Sequence, residues 1–177
     1  EWNADGWYRT KSTATPIKTD PSIKHGLSLS DDFEGPEPGL QWTFWKEYAP
    51  QSLSFKKQTL WIDAKGSTPS DARLLLATAE DKNYETQVEV NVGKGNTAGL
   101  LLYYSEKAYA GVVSDGKNFT IYRNAENSFT LPNKLGKRFL AKIQNQGNSV
   151  RIAVSKDGKE WTTLVENMDV SQLHHNN

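Results

Sequence analysis

Tyr84-Glu85-Thr86-Gln87-Val88-Glu89-Val90-Asn91-Val92 alternates residue by residue, and its reading decides the fold class. In an extended chain, successive side chains point to opposite faces. Tyr84, Thr86, Val88, Val90 and Val92 therefore share one face, and Glu85, Gln87, Glu89 and Asn91 the other. That is the pattern of a strand with one face on a core and one in water. Gly93-Lys94-Gly95-Asn96 turns the chain into Ala98-Gly99-Leu100-Leu101-Leu102-Tyr103-Tyr104. This second run is apolar on both faces, which predicts a central strand with a covered outer surface.

Further strands are predicted on both sides of this pair. Residues 109–114 and 119–123 are joined by Asp115-Gly116, and residues 139–144 and 150–155 by a turn at Gly147-Asn148. Asp157-Gly158 then leads to Trp161. Asp-Gly is a strong hairpin signal, because both central residues of a type I′ turn need positive φ. Residues 53–55, 60–63 and 74–78 supply earlier strands, and no segment has the pattern of an amphipathic helix. About ten short strands between turn signals predict an all-β chain, an antiparallel β-sandwich or jelly roll.

Composition narrows the function classes. A chain of 177 residues is long enough to bury a core, and its polar balance suits a soluble sandwich with one wet face per strand. Lys plus Arg and Asp plus Glu balance at 21 each, without a block of one sign. A nucleic-acid footprint or a membrane-surface patch is therefore not expected. No run approaches a transmembrane span. Cysteine is absent, which excludes disulfides and thiol chemistry.

Residues 1–30 differ from the rest. Trp2, Trp7 and Tyr8 flank Asp5-Gly6, and residues 11–23 are rich in Thr, Ser, Pro and Lys without periodicity. They read as a hairpin or extended arm followed by a linker, leaving residues 31–177 as the sandwich. Glu1-Trp2-Asn3 is an unusual natural start, and the end at His174-His175-Asn176-Asn177 reads as a truncated loop.

No catalytic constellation emerges from the carboxylates. A glycosidase needs two or three at fixed separation around the sugar. Asp31 and Asp32 are adjacent, so on a strand they face opposite ways. Glu85 and Glu89 lie on the wet face of an ordinary strand, and Asp115 and Asp157 are accounted for as turn residues. His174 and His175 have no Cys, Asp or Glu at ligand spacing, so a metal there is not expected. No cofactor is expected, with calcium at Asp31 or Asp32 as the one candidate, though no dense acidic loop marks a site.

The aromatics remain. Leu40-Gln41-Trp42-Thr43-Phe44-Trp45 packs three large rings into four residues. Strand alternation puts Trp42 and Phe44 on one face and Trp45 on the other. Large rings fill sandwich cores, and an exposed flat ring is also what a sugar stacks on. Trp45, Tyr103 and Tyr109 are the candidates for such a platform, and the sequence alone leaves core and platform both open.

Several ordered segments together resemble the two-domain enzymes of glycoside hydrolase family 43, the β-xylosidase and α-L-arabinofuranosidase group. Glu1-Trp2 through Asp5-Gly6-Trp7 resembles the final strand of the family's catalytic propeller, and the polar stretch to Leu29 its interdomain connection. Asp31-Asp32-Phe33 and Leu40-Gln41-Trp42-Thr43-Phe44-Trp45 resemble the first strands of its concanavalin-A-like C-terminal domain. Tyr84-Glu85, Ala98-Gly99-Leu100 with Tyr103-Tyr104, Tyr109-Ala110-Gly111 and Ser155-Lys156-Asp157-Gly158-Lys159-Glu160-Trp161 resemble its later strands.

The resemblance implies a concanavalin-A-like jelly roll that lacks its last strand or strands, because the family's sandwich continues past the His-His-Asn loop. It implies an accessory domain without catalytic residues of its own, packed on the catalytic β-propeller of the same polypeptide. The parent would hydrolyse xylosyl or arabinosyl linkages of plant polysaccharides, by inversion. Trp2, Trp7, His174 and His175 are then candidates for the domain interface or the pocket rim. The alternatives are a freestanding carbohydrate-binding module for plant-cell-wall oligosaccharides, and a structural or interaction sandwich unrelated to sugars. A secreted or periplasmic location is favoured over the cytoplasm.

Overall fold

The computed structural model describes residues 28–79 and 81–174. Trp2, Trp7, His175 and nearly all of the predicted arm and linker lie outside the described residues.

Among the described residues, twelve strands form four antiparallel sheets, two large and two small. The first large sheet has the order β12-β11-β10-β5, built from β5 (Asn83–Asn91), β10 (Arg138–Gln146), β11 (Ser149–Ser155) and β12 (Trp161–Asp169). The second is a meander, β6-β7-β8-β9, of β6 (Ala98–Ser105), β7 (Ala108–Ser114), β8 (Asn118–Arg123) and β9 (Glu126–Pro132). Earlier in the chain, β1 (Thr43–Phe44) pairs with β4 (Leu75–Leu76), and β2 (Leu53–Phe55) with β3 (Leu60–Ile62).

The alternation of residues 84–92 sets the register of the first sheet. Val90 lies opposite Phe139, Val88 opposite Ala141, and Thr86 opposite Ile143. A slip of one residue would turn every one of these apolar groups into water. Val90, Val92, Phe139, Ala141, Ile143, Ile152 and Val154 face Ala110, Val112, Phe119 and Ile121 of the meander in one buried cluster. Phe119 and Phe139 meet edge to face at 5.1 Å across the two sheets. The sandwich core thus sits between the sheets, as expected for this architecture.

The outer face of the first sheet is wet and ion-paired. Glu85 accepts from Lys142 at 2.9 Å and Glu89 from Arg138 at 2.6 Å. The Lys142 ammonium also lies 4.2 Å above the Trp161 ring.

One expectation is corrected. Residues 98–104 form an edge strand rather than a central one, since β6 is outermost in its sheet. Their second apolar face is covered by a loop: Trp45 packs its ring on Tyr103. An apolar outer face signals a cover, and a loop supplies that cover as well as a neighbouring layer does.

Candidate functional site

The three rings of the sequence cluster go to three different partners. Trp42 stacks on Phe33 at 5.9 Å and donates from Nε1 to Asp31 Oδ2 at 2.7 Å. Phe44 meets Tyr48 edge to face at 5.6 Å. Trp45 meets Tyr103 edge to face at 5.2 Å. Only Thr43 and Phe44 of this stretch lie in a strand, β1. Beyond it the chain turns sharply: Lys46 has φ 63°, and the Glu47 amide donates back to the Trp45 carbonyl at 2.8 Å.

From Trp45 an aromatic stack runs across the meander's outer face. Tyr103 and Tyr109, directly opposite each other in β6 and β7, stack at 5.6 Å and 11°, and Tyr122 of β8 follows at 5.6 Å. The predicted platform residues Trp45, Tyr103 and Tyr109 are therefore brought together. Tyr109, 1% exposed, presents no open ring face. Its hydroxyl donates to the Ala125 carbonyl at 3.2 Å and lies 3.1 Å from Ser70 Oγ, which donates to the Glu106 carbonyl at 2.9 Å. Burial, with Glu106 adding to it, pushes the Tyr103 hydroxyl up to about 12, so it stays protonated at neutral pH. Burial likewise raises Tyr122.

A cleft of about 210 Å³ opens beside the stack, lined in part by Phe44, Trp45, Lys46, Ser70, Arg73 and Glu106. Sequence reasoning missed every polar member of this set. Ser70 and Glu106 carry no motif, and the loop joining β3 to β4 has no periodicity that would place it over β6.

His174 is half-buried, and its amide donates to the Gln172 carbonyl at 2.9 Å. Gln172 in turn accepts from the Asn124 side chain. The tail after β12 is thereby tied to the Asn124-Ala125 turn, the same turn that receives the Tyr109 hydroxyl.

Asp31 is a hydrogen-bond acceptor rather than an open cation ligand. Its two oxygens receive the Phe33 amide at 2.8 Å, Gln41 Nε2 at 3.0 Å and the Trp42 indole. Asp32 Oδ1 receives the Glu34 amide at 3.2 Å. Calcium needs about six to eight oxygen ligands, and this donor-rich setting does not fit it. Among the described residues, no three His, Cys, Asp or Glu side chains gather at metal-binding distance.

Six of the described carboxylates have settings that do not suit acid catalysis. A glycosidase's general acid must hold its proton near neutral pH, which requires a raised pKa. Hydrogen bonds from the Lys142 side chain lower Glu85, and those from Lys65 lower Glu47. Turn amides and hydroxyls lower Asp71, Asp115, Asp157 and Asp169.

The fold has solved counterparts. The GH43 BlXynB protein of Bacillus licheniformis superposes with a TM-score of 0.74 at 20% identity. A xylan beta-1,4-xylosidase of Bacillus halodurans gives 0.66 at 16%, and the Xyloglucan PUL GH43B protein of Bacteroides ovatus 0.67 at 14%. In each case 98% of this chain is covered, and the chain spans 38% of the other's length. At such identities the likeness is one of fold. A comparison with curated protein sequences gives no match. The profile of one family, the beta xylosidase C-terminal concanavalin A-like domain, matches residues 30–177. With that match over most of its length, and with two antiparallel sheets packed face to face, the chain belongs to the family of β-xylosidase C-terminal concanavalin-A-like domains.

Proposed function

We propose that the chain serves as the accessory sandwich of a family 43 glycosidase, docking on the catalytic propeller and shaping the rim of its pocket. The parent reaction would be inverting hydrolysis of xylosyl or arabinosyl linkages in plant polysaccharides, with acid and base supplied by the propeller. The observation that carries the docking role is where exposed apolar surface lies. Of the large hydrophobic side chains open to solvent, Leu29, Leu40, Tyr48, Trp61 and Ile62 all precede the sandwich sheets, with Leu40 at 89% and Tyr48 at 79% exposure. Only Tyr104 and Phe129 among the described residues belong to the two large sheets, Trp61 and Ile62 lying in the small β2–β3 sheet. Exposed apolar side chains concentrated in one stretch of chain, residues 29–62, support docking through that stretch, and domain contacts within a chain typically cover about 600–1,500 Å².

The test uses the intact parent polypeptide. Replacing Leu40 and Trp61 together by Ser should lower the melting temperature of the propeller transition and reduce kcat/KM on an aryl xyloside several-fold. Replacing His174 and His175 by Ala should lower kcat/KM without moving the melting temperature. Full activity and unchanged melting in the Leu40/Trp61 variant would refute the docking role, and unchanged kinetics in the histidine variant would refute the rim role.

A further inference from the structure

Phe129 is an exposed ring outside the stretch that supports docking. It is 41% exposed, yet it lies directly opposite Ile121 of β8, which is 0% exposed. Residues opposite each other in an antiparallel pair share a face, so Phe129 is on the core side of the meander. Leu131, opposite the buried Phe119, is on that side too and is only half-buried. Neither joins the apolar cluster between the sheets. The core face of the meander therefore runs one strand past its cover, and it ends there on an outermost strand, β9.

The edge of β9 is open to pairing. Past the register shift at Ile121 and Tyr122, residues 129–132 pair regularly with β8. The Asn133 amide donates to the Lys117 carbonyl at 2.7 Å, and backbone polar groups alternate in direction along an antiparallel strand. Those of Leu131 and Phe129 therefore also turn toward β8, and the N–H and C=O of Thr130 turn away from it. The other outer strands are guarded. β6 lies against the Trp45 loop, β5 carries Glu85 and Glu89, and β12 is bulged against β11. Residues 127–131 carry no charge, and Pro132 blunts only the end.

We propose that β9 pairs antiparallel with β9 of a second copy of this chain, about a two-fold axis at Thr130. The two Thr130 residues exchange N–H···O=C bonds, and Phe129 lies opposite Leu131 of the second copy, so that each covers the other's exposed apolar group. The same register carries Glu126 of one copy alongside Lys134 of the other. Both are exposed, and neither has an ion-pair partner among the described residues. A parallel pairing would instead set the two Glu126 side by side. That charge match is what singles out a second copy as the occupant. A two-fold contact closes on itself and stops at the dimer. One strand pair is smaller than the about 1,200–2,000 Å² of stable interfaces, so the dimer is a weak one. Nothing in this pairing depends on the docking role.

Sedimentation equilibrium of the full chain at low salt, from about 10 μM to 1 mM, reads the association. The expected result is a weight-average mass that rises with concentration toward twice the monomer's and not past it. Thr130→Pro removes an N–H used only between copies, and should weaken dimerisation about tenfold with the melting temperature unchanged. Glu126→Lys should weaken it about threefold, and adding Lys134→Glu should restore it. A monomer's mass throughout, a rise past the dimer, undiminished dimerisation in Thr130→Pro, or no recovery in the charge-exchanged variant would each overturn the proposal. Should Thr130→Pro not fold, the charge exchange decides by itself. Because it is measured on the chain alone, failure here leaves the docking test in the parent polypeptide unaffected.

Discussion

Asp115 and Asp157 show how much a single side chain can organise in this sandwich. Asp115 Oδ1 accepts from the Lys117 amide at 2.7 Å and the Asn118 amide at 2.6 Å. Asp157 Oδ1 does the same for Lys159 at 2.9 Å and Glu160 at 3.3 Å. These bonds favour the ionised form and lower both groups below the ordinary Asp value of 3.8. Depressed carboxyls contribute stability that is fully present above that value and is lost as pH falls through the lowered one. Thermal melts should therefore be flat from neutral pH down to about pH 5 and fall below about pH 4. The double variant Asp115→Asn, Asp157→Asn should melt lower at neutral pH and show a shallower acid limb; an unaltered acid limb would contradict this account. That both residues hold turns was legible from Asp-Gly. The fate of Trp42, Phe44 and Trp45 was not, because each ring's partner is set by a long-range contact that no local period encodes.

Among the elements, those with strong period were legible almost to the residue. Residues 84–92 are observed as Asn83–Asn91, and residues 150–155 as Ser149–Ser155. β9 and β12 were not read as strands, for two physical reasons. β9 is an exposed edge whose ENSFTLP sequence has no buried face to impose alternation. β12 carries its irregularity inside the pairing, where register shifts against β11 beside Ile152 break the period of two. Turn type was also hidden. The two-residue loops with positive φ at both positions are Lys57-Gln58 and Asn124-Ala125, whereas at Asp115-Gly116 only Gly116 is left-handed. Type I′ geometry is thus imposed on ordinary residues by the twist of the strands they connect. Close pairing of β6 and β7 makes a sharper demand at Gly99. A Cβ there would meet the Val112 carbonyl and lie 2.7 Å from Val113 Cα. Gly99→Ala should cost about 2–4 kcal/mol in urea unfolding; a loss below 0.5 kcal/mol would show that the pairing yields.

At the scale of the whole molecule, the all-β sandwich was legible because patterned strands and turn signals leave little else. How the sheets divide was not, since that depends on which strand β5 chooses. It pairs with β10, Asn91 lying opposite Arg138, so the complete meander β6–β9 intervenes between two neighbours in one sheet. The meander needs only consecutive hairpins, whereas β5–β10 must close a long loop before any pair forms. Pulse-labelled hydrogen exchange during refolding should therefore protect the amides of Val112 and Ile121 before those of Val88 and Ile143. The opposite order would mean that the β5–β10 sheet nucleates first. That separation in the chain gives the β5–β10 seam a role beyond pairing. It acts as the clasp of the fold: until it shuts, the apolar face of a finished hairpin stack stands open, and a chain caught at that moment is most prone to aggregate.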